Sequence, residues 1–168
     1  VWEFEKPIIA AVGGVAAGAG AQLALVCDLI LAAESASFIE VFARRGLVVD
    51  SGGSWLLPRL IGLPRAKELV FFAESFPAAE AERIGLVNRV VPDAELEPLA
   101  RAWAERLAQA PTRALVECKR LLNQSFGRTF QEALDAEAEA QGAVSQTDDF
   151  VEGVMSFMQK RPPEFKGR

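Results

Sequence analysis

The segment Gly13–Gln22 is the first stretch of the chain whose residue types could do chemistry. It reads Gly-Gly-Val-Ala-Ala-Gly-Ala-Gly-Ala-Gln and separates two apolar runs. A strand that leads through a glycine-rich loop into a helix aims several unbonded N–H groups at one point, where they can hold an anion or a developing oxyanion. Small side chains also let a ligand approach the backbone closely. The same pattern is typical of tight strand–helix packing without a ligand, and the residues alone leave both interpretations open.

The tripeptide Gly18-Ala19-Gly20 also resembles part of the glycine fingerprint of dinucleotide-binding proteins. Glu40 lies at about the distance at which such proteins carry an acidic residue for the ribose. Leu23 stands where the third glycine of the fingerprint would be. The missing glycine makes dinucleotide binding the weaker of the two functional interpretations.

A second segment with chemical potential is Val48-Val49-Asp50-Ser51-Gly52-Gly53. An aspartate within an apolar loop can be the functional carboxylate of a dry pocket, where desolvation disfavours its charged form. Asp50 or Ser51 could instead cap the helix that opens at Gly52 by accepting its first N–H groups. The residues alone favour the cap.

Composition narrows the chemistry further. The 168 residues include no histidine and no tyrosine, so proton transfer must use carboxylates, lysine, cysteine, backbone groups or water. A Cys/His metal site cannot form, and we predict no metal. The net charge of −5 argues against a nucleic-acid surface. The apolar run Ile8–Ile30 is interrupted by glycines and predicts no membrane helix. Two distant cysteines, Cys27 and Cys118, indicate thiols in a reducing, cytoplasmic compartment.

Hydrophobic periodicity predicts an α/β core over residues 1–92 and an α-helical region over residues 93–168. The glycine-rich segment up to Gly20 is interpreted as a loop between the first strand and the first helix. Strands are expected at Ile8–Val12, Leu29–Ala33, Ser37–Val41 and Val87–Val91, and helices at Ala21–Cys27, Gly52–Leu60, Arg65–Ala73, Ala78–Ile84, Ala94–Ala108, Pro111–Leu122, Thr129–Val144 and Thr147–Lys160.

Several stretches together resemble the enoyl-CoA hydratase/isomerase (crotonase) superfamily. The resemblance runs over essentially the whole chain. The stretches that show it are Lys6-Pro7-Ile8-Ile9-Ala10-Ala11-Val12, Gly18-Ala19-Gly20, Leu23-Ala24-Leu25-Val26-Cys27-Asp28, Ala36-Ser37-Phe38, Gly46-Leu47, Gly52-Gly53, Leu57-Pro58-Arg59-Leu60-Ile61-Gly62, Ala79 to Pro92, and Lys160-Arg161-Pro162-Pro163-Glu164-Phe165-Lys166-Gly167.

This resemblance implies a ClpP/crotonase-like spiral of ββα units, followed by helices through which family members form trimers or pairs of trimers. It implies an acyl-CoA substrate and no separate cofactor, since coenzyme A is part of the substrate. In the family two backbone amides hold the thioester oxygen while an enolate forms. One of them corresponds to Ala19, and the other is expected in a segment before Val1, so we expect the N-terminal part of the domain to be missing from this sequence.

Departures from the family pattern concern the acid–base residues. Hydratases place catalytic glutamates where this chain has Gln22 and Phe42, and neither of these can accept a proton at neutral pH. Asp50 matches an aspartate that some isomerases of the superfamily use. Its surroundings are most similar to the phenylacetate-pathway isomerases, which convert ring-epoxidised phenylacetyl-CoA to its oxepin and shift double bonds in enoyl-CoA.

We therefore expect an isomerase of fatty-acid or phenylacetate metabolism in which Asp50 carries the proton. The expected pocket is lined by Gly18, Gly20, Gln22, Phe42, Val48, Val49 and Trp55. By resemblance, Phe157 and Lys160 contact coenzyme A, although Lys160 could equally be an ordinary basic helix end. The alternatives are weak hydratase (lyase) activity, a non-catalytic acyl-CoA-binding scaffold, or a different chemistry with Asp50 as nucleophile.

Overall fold

A computed structural model describes residues 1–168, which pack into two compact units. The first unit contains Val1–Glu3 and Ile8–Ala102, and the second contains Phe4–Pro7 and Trp103–Arg168. No helix is both long enough and apolar enough to cross a lipid bilayer.

The first unit is built on a parallel three-stranded sheet. Its strands are β1 (Ile9–Val12), β3 (Leu29–Ala33) and β6 (Arg89–Val91), in the order β1-β3-β6. The central strand β3 pairs with both neighbours, and its residues from Ile30 onward are buried. A strand covered on both faces reads as a continuous apolar run, which is why the sequence predicts β1 and β3 well.

A second sheet lies in the same unit and carries the glycine-rich segment. It contains β2 (Val15–Ala17), β4 (Ser37–Ile39) and the two-residue β5 (Phe76–Pro77). Strand β2 runs parallel to β4, and β5 runs antiparallel to it. The prediction of a loop over this stretch is therefore wrong at β2. Three small residues carry too little hydrophobic pattern to indicate a strand, and only pairing with β4 defines it.

Four short helices complete the first unit. They are α1 (Ala19–Leu25), α2 (Gly53–Ile61), α3 (Leu63–Phe72) and α4 (Ala78–Arg83). Helix α1 begins two residues earlier than the sequence predicts, which places Ala19 and Gly20 in its first turn. A short 3₁₀ turn at Ala43–Arg45 ends at Gly46 in the left-handed conformation, as its sequence indicates.

The remaining helices are α5 (Leu96–Ala108), α6 (Thr112–Gln124), α7 (Phe130–Val144) and α8 (Asp148–Gln159). Thr129 forms a reciprocal capping box with Glu132 at the start of α7. At the start of α8 the Thr147 hydroxyl accepts from the amide of Phe150 at 3.1 Å. These caps explain why the sequence predicts both helix starts correctly.

Candidate active site

The turn at Gly18 connects β2 to α1 and fixes the direction of the first helical amides. Gly18 has φ of +52° and donates its N–H to the carbonyl of Ile39 at 2.9 Å. A Cβ at this position would lie 3.1 Å from Val41 Cγ2, in a conformation that L residues rarely adopt. Position 18 thus needs glycine for two reasons: its φ is positive, and Val41, just after β4, lies too close for a side chain.

The amides of Ala19 and Gly20 lie in the first turn of α1, where helical geometry provides no intrahelical acceptor. Both residues are exposed, whereas Gly18 is buried. The turn therefore lies at an accessible surface, and its first helical N–H groups have no intrahelical acceptor.

Gln22 and Glu40 form a buried polar pair directly behind this turn. Gln22 is 1% exposed and Glu40 is 5% exposed. The Gln22 side chain donates from Nε2 to Glu40 Oε2 at 2.6 Å. The amide oxygen of Gln22 is buried and receives no hydrogen bond. We expected Gln22 to line the pocket, but it is buried in α1 and its donor is committed to a carboxyl rather than presented to an open pocket.

Burial raises the pKa of the Glu40 carboxyl from its ordinary value near 4.5 to about 7. The hydrogen bond from Gln22 acts in the opposite direction, and the negative charge of Asp50 adds to the rise. Sequence reasoning considered Glu40 only as a ribose-binding acid and missed this role. A signal was present, because Phe38, Glu40 and Phe42 alternate with less buried residues and so share one face of the extended chain.

Phe42 is 7% exposed and packs beneath the glycine turn. Its ring lies 3.7 Å from the place that a Cβ on Gly18 would occupy. This aromatic residue therefore supports the turn from below and supplies an apolar environment for it.

Asp50 lies on the exposed loop between the 3₁₀ turn and α2. No side chain caps α2, so the interpretation of Asp50 or Ser51 as a helix cap is wrong. The backbone carbonyl of Asp50 accepts from Gly53 at 2.8 Å, and the following residues Ser51 and Gly52 have φ of +49° and +89°. In this tight turn the backbone carbonyl of Asp50 accepts the hydrogen bond, and the side-chain carboxylate makes no hydrogen bond.

Gly53 joins the Asp50 loop to the buried pair. A Cβ at Gly53 would lie 2.5 Å from Gln22 Oε1 and 2.6 Å from Val49 Cγ2, so no larger residue fits without movement. The first turn of α2 therefore packs directly against the Gln22 amide. Three segments meet here: the turn before α1, the end of β4 and the loop before α2.

The remaining pocket residues expected from the sequence do not enclose Asp50 within this chain. Val48 is 82% exposed, Val49 is half-buried, and Asp50 itself is exposed. Trp55 is 40% exposed and lies between Arg59, whose guanidinium carbon is 3.9 Å from the ring centroid, and Trp2, at 5.1 Å between centroids. Val48, Val49 and Trp55 therefore do not enclose Asp50 in a pocket that excludes water.

In the second unit, Phe157 and Lys160 lie at the end of α8. Phe157 is 84% exposed and borders a largely apolar cavity of about 470 Å³, together with Phe150, Val154 and Phe165. Lys160 ends the helix with φ of +53°, a conformation uncommon for a residue other than glycine. Arg161 is held by both Glu152 oxygens at 2.5 and 2.8 Å, and Asp149 accepts from the amides of Lys166 and Gly167. The terminal segment is thereby fixed along α8.

Comparison with known proteins identifies the family of the chain. The model of the enoyl-CoA hydratase/isomerase family matches residues 1–168. A Rhodobacter capsulatus protein named as a probable enoyl-CoA hydratase is 46% identical over the whole chain, which covers 65% of that relative. The 1,2-epoxyphenylacetyl-CoA isomerase of Escherichia coli is 42% identical over 99% of the chain and 63% of its own length.

Solved structures give the same result. The crystal structure of an enoyl-CoA hydratase from Bacillus anthracis superposes with a TM-score of 0.96 at 38% identity, covering 100% of this chain and 65% of that one. An enoyl-CoA hydratase/isomerase from Cupriavidus metallidurans gives 0.94 at 42% identity, covering 99% and 63%. The predicted crotonase-like fold is therefore confirmed.

The chain belongs to the enoyl-CoA hydratase/isomerase family. It spans about 65% of the length of the relatives that it matches.

Proposed function

We propose that this chain carries the proton-transfer centre of an acyl-CoA isomerase in which Asp50 is the single proton carrier. One observation carries the proposal: the Asp50 carboxylate is uncommitted, yet close enough to the pair behind the Gly18 turn for its charge to act on Glu40. The positions of the two hydratase glutamates hold Gln22 and Phe42, which cannot act as bases.

The mechanism follows from the charge that develops during the reaction. The Ala19 amide donates to the thioester oxygen, and Asp50 removes a proton from the carbon next to the thioester. The electron pair of the broken C–H bond moves into the thioester as an enolate. The double bond then shifts as Asp50 returns the proton to a carbon further along the acyl chain. One oxyanion donor typically contributes about 3–4 kcal/mol to such a transition state.

The names of relatives bear on the substrate in two directions. The E. coli isomerase at 42% identity supports a ring-epoxide or double-bond isomerisation. The R. capsulatus relative at 46% supports hydration as the second candidate. A scaffold that binds acyl-CoA without turnover is the third possibility, motivated by Gln22 and Phe42.

Coenzyme A binding and assembly are further parts of this proposal. Phe157 offers an exposed aromatic face for the adenine. Lys160, whose positive φ is uncommon for a residue other than glycine, supplies a cation at the same end of α8. Exposed Leu122 and Phe130 on α6 and α7 support a trimer or hexamer. We propose no cofactor besides the coenzyme A of the substrate. A cytoplasmic location is proposed on Cys27 and Cys118, which form no disulfide.

Steady-state assays of two reactions test the assignment. Purified protein is given Δ3-enoyl-CoA, epoxyphenylacetyl-CoA and, separately, Δ2-enoyl-CoA with water as the co-substrate. We expect isomerisation of either of the first two, lowered about 10²–10⁴-fold in kcat by Asp50→Asn because a general base is lost. Asp135→Asn on α7, where an amide can still accept from Gln131, is the matched control. Hydration as the dominant reaction would replace this proposal with the second candidate.

A further inference from the structure

The pair formed by Gln22 and Glu40 has one feature that the proton-carrier mechanism does not use. The Gln22 amide oxygen is buried without a donor, although the residue is 1% exposed. Buried acceptors without partners are rare because the lost hydration is not replaced. Gly53 approaches this oxygen closely, but its N–H already donates to the Asp50 carbonyl at 2.8 Å.

A neutral carboxyl on Glu40 would supply the missing donor. An ionised carboxylate only accepts hydrogen bonds, whereas a carboxylic acid also carries one O–H. A carboxylic acid can pair with a primary amide through both groups at once: Glu40 keeps the hydrogen bond from Gln22 Nε2, and its O–H donates to the Gln22 amide oxygen. Burial favours the same protonation state, since it raises the pKa of Glu40 to about 7.

We propose that Glu40 is a positioning residue that works in its neutral form, fixing Gln22 behind the Gly18 turn without placing a negative charge beside the developing enolate. The inference rests on the proposed function, because the enolate is the one that Asp50 generates. Glu40 itself does not touch the substrate in this scheme.

The position of Glu40 explains why its charge matters. Ile39, the preceding residue, accepts the Gly18 amide at 2.9 Å, and the Gln22 amide donates to the Gly18 carbonyl at 3.0 Å. Glu40 thus directly follows the residue whose carbonyl holds the turn that contains Ala19. An ionised Glu40 would repel the enolate oxygen, which carries the same sign of charge.

The groups around Glu40 do not offset this repulsion. Helix α1 presents the neutral Gln22, and the β4 segment presents the buried rings of Phe38 and Phe42. The loop before α2 contributes Asp50, whose negative charge disfavours ionisation of Glu40 further. Helix α2 approaches the pair with Gly53.

The expected signature is a loss of activity on the alkaline side. In wild-type protein, kcat for Δ3-enoyl-CoA should fall about tenfold between about pH 6 and about pH 8.5, as Glu40 ionises. Glu40→Gln cannot ionise, so its ratio of kcat at the two pH values should be near one. KM should change little with pH in both proteins, because the repulsion acts on the developing charge. An alkaline fall of wild-type size in Glu40→Gln would overturn the inference.

A titration independent of turnover separates this inference from the proposed function. Carbon-13 NMR of the Glu40 carboxyl in wild type and in Asp50→Asn reports protonation whether or not the protein is active. We expect Glu40 to titrate near 7 in wild type and somewhat lower in Asp50→Asn, where one like charge is removed. Titration near 4.5 in wild type would end the inference and leave the Asp50 mechanism standing. This measurement also decides the matter if Glu40→Gln does not fold.

Discussion

The two acidic residues of this site, Glu40 and Asp50, influence each other electrostatically, but their surroundings differ. Glu40 is buried, hydrogen-bonded to Gln22 and fixed by the β4 segment. Asp50 is exposed and its carboxylate is uncommitted, on a loop shaped by two successive residues with positive φ. Similar chemistry in two environments gives two roles, since burial favours the neutral acid and exposure favours the ionised base.

The largest expected effect separates activity from stability at Asp50. Asp50→Asn should reduce isomerase kcat by about two to four orders of magnitude, while the free energy of unfolding changes by less than about 0.5 kcal/mol. The physical reason is that the carboxylate makes no hydrogen bond or ion pair within the fold. Chemical denaturation beside the kinetic assay checks both values. A large loss of stability would mean that Asp50 supports the fold and would remove the contrast with Glu40.

Gly53→Ala tests the contact between the Asp50 loop and the buried pair. A Cβ there would lie 2.5 Å from the Gln22 oxygen, so we expect a destabilisation of about 1–3 kcal/mol from overpacking. Gly142→Ala within α7 is the matched control, because no atom lies within 4 Å of its added Cβ. The control should be neutral or stabilised by up to about 1 kcal/mol through helix propensity. Equal thermal shifts in the two variants would argue against the close approach.

The pH dependence of stability tests the burial of Glu40. Its folded pKa of about 7 lies above its ordinary value near 4.5, so the folded state binds the extra proton between these values. The contribution of Glu40 to the free energy of unfolding is therefore fully present below about pH 4.5. It is lost as the pH rises through about 7, and the loss is on the order of 1–3 kcal/mol. Glu40→Gln should remove this contribution. Identical pH slopes for the two proteins in urea unfolding would contradict it.

The smallest effect concerns the backbone of the Asp50 loop. Ser51 has φ of +49°, which costs an L residue about 1–2 kcal/mol relative to a right-handed conformation. Ser51→Gly relieves this strain but adds freedom to the unfolded chain, so we expect a net stabilisation of about 0.5–1 kcal/mol. Calorimetry measures the change, with Gly46→Ala as the reverse case at φ of +67° in open space. Destabilisation by Ser51→Gly would show that its side chain supports the loop.

Much of the fold was predictable because it depends on local patterns. The apolar runs of β1 and β3 and the starts of α7 and α8 are local signals, and the structure confirms them. Strand β2 was not predicted, because its three small residues become a strand only through pairing with β4. Residues 1–168 match the family model, so the family could be inferred from the chain's own motifs.

The residue types of the candidate site could be predicted from the sequence, but their burial and hydrogen-bond partners could not. Gln22 and Asp50 stood out by residue type. The cap interpretation of Asp50 is wrong because the Gly53 N–H at the start of α2 donates to the backbone carbonyl of Asp50 and not to a side chain. Glu40 was assigned to a different chemistry because its partner lies 18 residues away and on another element. Burial and long-range pairing arise only in the folded chain, and they are what give Glu40 its shifted pKa.

The central claim is that one exposed carboxylate carries a proton between two carbons of the same acyl chain. The most direct measurement uses Δ3-enoyl-CoA deuterated at the carbon next to the thioester, with mass spectrometry of the product. We expect wild-type protein to move part of the label to the carbon that was the far end of the original double bond and that becomes saturated in the product. Asp50→Asn should form that labelled product at least about 100-fold more slowly. Label transfer at the wild-type rate in a folded Asp50→Asn protein would contradict the account.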